Sequence, residues 1–159
     1  MAPMIDVTPR PPSGSRTEMT EIVLPQHANA IGTTFGGVVM GWIDICAAVA
    51  AHRHCGRVAV TAAVDEMAFR APIRVGDVVV LRSRVHAAFR TSLEVGVTVE
   101  REEIASRTRV TCVEARLTFV HVGDDGRPVP VPPLLLETDE ERQLAAEAEE
   151  RRRHRLERR

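Results

Sequence analysis

The chain has 159 residues, 44% of them hydrophobic, and this size and composition suit one domain built around a single core. Its formal net charge of -1 at pH 7 creates no field that would attract nucleic acid or an anionic membrane surface. Aromatic residues make up only 3% of the chain and none is Tyr, so a base-stacking surface is not expected either. We therefore expect neither nucleic acid nor a membrane as a partner.

The first 15 residues contain four prolines and Gly14 but lack the apolar core of a signal peptide. They predict a mobile N-terminal tail, and the lack of an export or anchor segment predicts a cytoplasmic location. The three cysteines, Cys46, Cys55 and Cys112, are too few and too scattered for a disulfide framework or a zinc site. We expect free thiols, with Cys46 filling space in the core rather than acting as a nucleophile.

A first strand is predicted over residues 17–24, and it is followed by an apolar helix. Between residues 38 and 51 every residue except Asp44 is apolar or glycine, so the helix must be buried on nearly all sides. The run is shorter than the roughly 20 residues that a membrane helix needs and has an acid in its middle. It therefore predicts a central helix in the core of a water-soluble protein.

The helix carries two features that indicate a site. Asp44 is an isolated carboxylate in an apolar setting, which is costly unless it finds hydrogen-bond donors or has a catalytic role. Gly36 and Gly37 stand at the predicted first turn, where unpartnered N–H groups and the positive end of the helix dipole can hold an oxyanion. From the residues alone, a structural and a catalytic role for Asp44 both stay open.

Four further strands are predicted over residues 57–69, 77–88, 92–103 and 107–122, joined by hairpin-length connections. Such a meander is antiparallel and, once twisted, can curl around one apolar helix. A single sheet leaves one side of that helix uncovered, so we expect a second subunit to complete its burial.

Residues 137–159 predict a charged helix that begins with a capping box formed by Thr138 and Glu141. The spacing of Glu147 with Arg151 and of Glu149 with Arg153 predicts ion pairs along the helix. Its apolar stripe is thin, which favours a solvated or loosely docked helix. The alternative is that its basic end reaches a phosphate of a ligand or an acidic partner.

Three motifs occur in matching order and carry a family resemblance. Residues 27–44 read His-Ala-Asn-x-x-Gly-x-x-Phe-Gly-Gly-x-x-x-x-Trp-Ile-Asp, residues 64–77 read Val-Asp-x-x-x-Phe-x-x-Pro-Ile-x-x-Gly-Asp, and residues 90–95 read Arg-Thr-Ser-x-Glu-Val. Over roughly residues 20–133 the chain resembles the hotdog-fold acyl-CoA thioesterases, in the branch of small bacterial acyl-CoA hydrolases and the brain-type cytosolic acyl-CoA hydrolase.

The resemblance implies an α+β hotdog fold, in which a long central helix is wrapped by a curved antiparallel sheet of five to six strands, here with an added charged C-terminal helix. We expect a tail over 1–15, a hotdog thioesterase domain over 16–136 and the charged helix over 137–159. The resemblance also implies a homodimer with a continuous sheet, often assembled as a trimer of dimers. No metal and no cofactor are expected, since coenzyme A is part of the substrate.

The resemblance further implies thioester hydrolysis by an amide residue before the helix and an acid within it, contributed by opposite subunits. Asn29 and Asp44 occupy these positions. Asp44 would act as general base or nucleophile, and the Gly36 N–H would stabilise the developing oxyanion.

Coenzyme A is expected to contact the start of the helix and a turn near the end of the sheet. The candidates are Gly37 in the helix and Arg90, Thr91 and Ser92 in the turn. A simple hairpin role for the three turn residues is an equal alternative.

Two other functions stay open at this stage. A hotdog hydratase or dehydratase would pair the acid with a His about five residues later, where this chain has Val49. A non-catalytic acyl-CoA binding module would keep the pocket but would not need Asp44. We expect structural roles for Asp65 and His27, and the spacing of His52 and His54 makes a poor metal site.

Overall fold

The structure is a computed structural model, and it describes residues 4–159. The helices and strands are β1 (Thr17–Ile22), α1 (Gly36–Cys55), β2 (Ala59–Phe69), β3 (Val78–Ala88), β4 (Ser92–Glu103), β5 (Thr108–His121) and α2 (Asp139–Glu157). Two short 3-10 turns, Pro12–Ser15 and Pro25–His27, flank β1. The predicted α+β hotdog architecture, with its long helix, five-stranded antiparallel sheet and charged C-terminal helix, is confirmed.

The strand order differs from the predicted meander. The sheet runs β1-β3-β4-β5-β2, with every pair antiparallel, so β2 lies at an edge beside β5 and not beside β3. The connection over residues 70–77 can extend to about 26 Å. Strands β2 and β3 are three inter-strand spacings apart, or about 14 Å, so the connection is long enough to cross the sheet and reach β3. The order of the strands in the sequence did not predict which strands are neighbours in the sheet, because this connection is longer than a hairpin requires.

Helix α1 begins where its sequence predicts and packs against one face of the sheet. Phe35 precedes the first turn with extended backbone, and Gly56 ends the helix at a φ of 68°, a conformation that glycine adopts without steric cost. Ile43, Ala47 and Ala50 are fully buried against the sheet. This packing fixes the rotation of α1 and leaves its opposite side uncovered in the single chain, with Met40, Asp44 and Ile45 exposed.

The N-terminal segment is packed over a longer stretch than the predicted mobile tail allows. The Arg10 N–H donates to Pro133 O over 2.9 Å, and the buried Ser15 hydroxyl accepts from the Val85 N–H over 2.9 Å. These contacts bring residues 10–15 into the folded body, because the 3-10 turn supplies Ser15 as a partner for strand β3. Residues 1–3 of the predicted tail lie outside the described residues.

Helix α2 lies on the outer face of the sheet and has the predicted capping box at its start. Arg151 forms two hydrogen bonds with Glu94, and Arg155 donates to Asp65, which ties the helix to β4 and β2. The predicted solvated or loosely docked helix is therefore wrong.

The ion pairs predicted along α2 are wrong as well. Arg151 contacts the sheet instead of Glu147, and Arg153 pairs with Glu150 instead of Glu149. Arg151 has a tertiary partner instead of the predicted local one because a buried carboxylate needs a cation more than an exposed one does. Among residues 4–159, no helix is long and apolar enough to cross a membrane.

Candidate active site

Asp44 lies on the uncovered side of α1, facing the edge strand β2. The Thr61 hydroxyl donates a hydrogen bond of 2.6 Å to Asp44 Oδ1. Thr61 was not among the candidates predicted from the sequence, and no local signal marks it, because only the packing of β2 beside α1 brings it there. One oxygen of the carboxylate is held by Thr61, which leaves the other oxygen to act on a ligand.

Asn29 shapes the loop that precedes α1. Its Oδ1 accepts hydrogen bonds of 3.1 Å from the N–H groups of both Ile31 and Thr33, and its own N–H donates to Thr33 O. The side-chain NH2 has no hydrogen-bond partner within residues 4–159. Asn29 can therefore act on a ligand as a donor, since its oxygen is already committed to the loop.

Gly36 and Gly37 form the first turn of α1, as predicted. Phe35 O accepts the N–H groups of Val38 and Val39, whereas the Gly36 and Gly37 N–H groups have no partner in the part of the chain that is described. Both residues are exposed, so these two donors and the positive helix end are open to a ligand. Such donors can hold an oxyanion.

A pocket of about 340 Å³ adjoins this helix end. A Cβ on Gly36 would lie 4.0 Å from Cζ of Phe69, so the Phe69 ring stands close to the helix start without touching it. The remaining lining is mainly apolar and includes Val39, Ala71, Pro72 and Ile73. An apolar group attached to a carbonyl at Gly36 would find room here.

The structure does not bring all the predicted residues together within one chain. Asp44 follows Gly36 by eight residues, which corresponds to about 12 Å along the helix axis. A carbonyl held at the Gly36 N–H is therefore out of direct reach of the same chain's Asp44. Both groups are nevertheless exposed in the single chain.

The turn between β3 and β4 contains Arg90 and Thr91, and Ser92 is the first residue of β4. The backbone of the turn is anchored, since Arg90 O accepts from the Val131 N–H and Thr91 O accepts from the His121 N–H. The Arg90 side chain is exposed. Ser92 pairs with a residue of β5 that also pairs with the start of β2. The turn is therefore two strand spacings, or about 10 Å, from β2, the strand that carries Thr61.

The other candidates have structural roles, as expected. His27 Nδ1 accepts from the Leu24 N–H over 3.0 Å, and the ring packs edge-on against Trp42. Asp65 accepts from Thr118 and Arg155. His52 and His54 bind different carbonyl groups, and within residues 4–159 no three His, Cys, Asp or Glu side chains are grouped as a metal site.

The cysteines are unsuited to nucleophilic chemistry. All three are free and buried, and Cys46 is fully buried. Burial raises the pKa of Cys46, and it raises the pKa of Cys55 to about 12. The thiols stay protonated at neutral pH, which agrees with a core-filling role for Cys46.

Comparison with known proteins adds the family context. Residues 31–108 match the model of the Thioesterase superfamily. The chain is 39% identical over 147 residues to the uncharacterized acyl-CoA thioester hydrolase YkhA of Bacillus subtilis, which covers 88% of this chain and 86% of that protein. It is also 39% identical over 150 residues to mouse acyl-coenzyme A thioesterase 11. The match spans 93% of this chain but only 25% of the longer mouse protein.

Solved structures give the same picture. The acyl-CoA hydrolase of Staphylococcus aureus, determined with butyryl coenzyme A and coenzyme A, superimposes with a TM-score of 0.88 at 33% identity, covering 94% of this chain and 92% of that chain. A hexameric acyl-CoA thioesterase superimposes with a TM-score of 0.89 at 38% identity, covering 94% of this chain and 97% of that chain. Structures of the staphylococcal enzyme also exist with alanine in place of an aspartate, an asparagine or a threonine.

Proposed function

Because this chain belongs to the acyl-CoA thioester hydrolases of the thioesterase superfamily, we propose that it hydrolyses an acyl-CoA thioester to a carboxylic acid and coenzyme A, with Asp44 as the acid that carries the reaction. One observation carries the assignment of Asp44. The asparagine, aspartate and threonine replaced in the staphylococcal variants are separated by 15 and by 17 positions. Asn29, Asp44 and Thr61 have the same separations.

The chemistry of the site supports this function. The Gly36 N–H binds the thioester carbonyl oxygen and stabilises the charge that develops on it. Asp44 takes a proton from a water molecule, whose oxygen adds to the carbonyl carbon, or it attacks the carbon directly. The C–S bond then breaks, and the coenzyme A sulfur leaves and takes up a proton. After a direct attack, water hydrolyses the resulting acyl-aspartyl anhydride, which releases the carboxylic acid and restores Asp44. Asn29 orients the water or the carbonyl through its free NH2 group.

The reacting groups come from two chains in this proposal. The roughly 12 Å between Gly36 and Asp44 within one chain is too long for both to contact one carbonyl. The uncovered side of α1, with Ile45 exposed at 54%, and the free edge of β2 offer a surface for a second copy. Gly37 together with Arg90, Thr91 and Ser92 would contact coenzyme A. Hexameric relatives support a trimer of dimers.

A thiol-release assay tests the proposal. Wild type and Asp44→Asn are incubated with a panel of acyl-CoAs and a thiol reagent, and we expect kcat to fall by several orders of magnitude in the variant while its melting temperature is retained. Unchanged turnover in Asp44→Asn would refute the role of the acid. Binding without thiol release would indicate a binding module, and water addition to crotonyl-CoA would indicate a hydratase.

Mixed oligomers test the shared site. Asn29→Ala and Asp44→Ala subunits are each expected to be nearly inactive alone and to recover part of the activity when they are combined, because one of the two sites in a mixed dimer then keeps both intact groups. No recovery in verified mixed dimers would contradict a site built from two chains.

The cellular location is a separate proposal. Relatives from rat, mouse and human, 32% identical to this chain, carry the name cytosolic acyl coenzyme A thioester hydrolase. These names support the predicted cytoplasmic location, and fractionation of the producing cell would test it.

A further inference from the structure

A second cleft lies on the face of the sheet opposite α1, well apart from Asp44 of the same chain. It has a volume of about 580 Å³ and is bounded by β1, β3, β4, β5 and the first half of α2. Along β4, Leu93, Val95 and Val97 point into the core under α1, whereas Gly96 and Thr98 point into this cleft. The cleft is therefore a separate site on the molecule.

The lining of the cleft is basic. It contains four arginines, one histidine and two glutamates: Arg16, Arg82, Arg84, Arg116, His86, Glu18 and Glu140. Arg82 is neutralised by Glu18 and Glu100, and Arg84 pairs with Glu140. No acid within residues 4–159 forms an ion pair with Arg16 or Arg116. Two guanidinium groups are thus left without a counterion at one opening.

Arg116 also has most of its hydrogen-bonding capacity unused. Its guanidinium donates one hydrogen bond, of 3.0 Å to Ala115 O, and its buried Nε has no partner among the described residues. Arginine offers five N–H donors in a fixed planar fork that fits the oxygens of a phosphate. A buried donor without a partner is rare in folded proteins, and an anion bound by the guanidinium would account for the Nε of Arg116.

The floor of the cleft is built around Gly96 and His86. A Cβ at residue 96 would lie 2.0 Å from Cε1 of His86, so only glycine lets the imidazole lie flat on strand β4. His86 is 7% exposed, and its buried Nδ1 has no hydrogen-bond partner in residues 4–159. Its Nδ1 is 3.7 Å from the buried Glu94, which Arg151 holds from the other side.

We propose that this cleft binds a phosphate-bearing small molecule, with Arg116 and Arg16 as the anion ligands and His86 as a further polar contact at the floor. A volume of about 580 Å³ fits a molecule of nucleotide size and exceeds the needs of inorganic phosphate. The carboxylates of Glu18 and Glu140 suit the hydroxyl groups of such a molecule. The phosphate can belong to a free nucleotide or to the nucleotide part of coenzyme A.

Isothermal titration calorimetry on the full chain tests the site with three probes: inorganic phosphate, ADP and coenzyme A. For ADP we expect the dissociation constant to rise at least tenfold in Arg116→Gln and to rise with ionic strength. Arg127→Gln is the matched control, because Arg127 is 86% exposed in a loop outside the cleft. The affinity of the Arg127→Gln protein for ADP is expected to stay within twofold of wild type. Arg16→Gln, an exposed position, serves as the second variant if Arg116→Gln does not fold.

The probes separate the possible sources of the phosphate. Weakening of ADP alone in the cleft variants supports a free nucleotide, whereas weakening of coenzyme A, with or without ADP, supports the nucleotide part of the substrate. The proposal is overturned if none of the probes binds at millimolar concentration, or if Arg116→Gln and Arg16→Gln bind ADP and coenzyme A as wild type does. Because heat is measured and not turnover, the result does not depend on thioester hydrolysis.

Discussion

Replacing Arg151 by Met should destabilise the fold, because Glu94 would then lose its cation. Glu94 is 1% exposed, and Arg151 Nε and Nη2 donate to its two oxygens over 3.0 and 2.7 Å. Breaking a buried ion pair from one side typically costs about 3–5 kcal/mol. Since the Arg151 side chain is 23% exposed, some water can reach the site, and we expect about 3 kcal/mol.

The pH dependence of this loss has a definite sign. Burial alone raises the pKa of Glu94, but the neighbouring His86 and Arg151 outweigh it and hold that pKa below its usual value of 4.5. A carboxylate with a lowered pKa in the folded state adds stability above the unfolded-state pKa and loses it in acid. The difference between wild type and Arg151→Met should therefore be complete above pH 4.5 and shrink as pH falls through the lowered pKa of Glu94.

The assay is urea and thermal unfolding at one fixed protein concentration, since oligomers gain stability with concentration. A loss of about 3 kcal/mol corresponds to a drop in Tm of roughly 6–12 °C for a chain of this size. Arg153→Met is the matched control, because within residues 4–159 Arg153 pairs only with the exposed Glu150 on the same helix. Adding Glu94→Gln to Arg151→Met should restore part of the stability. Equal stability of the two single variants at pH 7 would refute the reasoning.

Three further predictions follow from single contacts. Thr61→Val removes the hydroxyl that donates to Asp44, and a hydrogen bond to a charged group is worth about 1.5 kcal/mol or more, so kcat in the thiol-release assay should fall roughly tenfold or more. Gly96→Ala forces His86 off strand β4 and should cost about 1–3 kcal/mol in urea unfolding. Val64→Glu puts a charge on the exposed edge strand and should lower the molar mass measured by light scattering.

Each of these predictions has a control on the same chain. Thr20→Val removes an exposed hydroxyl on β1, at the sheet edge opposite β2, and Gly14→Ala adds a methyl group to open space. Val7→Glu adds the same charge to an exposed position outside the sheet edge. Wild-type turnover in Thr61→Val, wild-type stability in Gly96→Ala, or an unchanged molar mass in Val64→Glu would contradict the corresponding contact.

The sequence by itself determined the elements and the family. Helix starts, capping boxes and strand limits depend on residues a few positions apart, so the capping box of Thr138 and Glu141, the first turn at Gly36 and the span of β4 could be predicted. The isolated Asp44 in an apolar helix indicated a site because a lone carboxylate there is costly whatever the fold.

Only the tertiary structure decided which distant residues meet. Thr61 reaches Asp44 across 17 positions, Arg151 reaches Glu94 across 57, and the edge position of β2 follows from a connection long enough to cross the sheet. Local patterns carry no information on these contacts, because each depends on how whole elements pack. For the same reason the sequence predicted ion pairs within α2, where the fold instead pairs Arg151 with a buried carboxylate on β4.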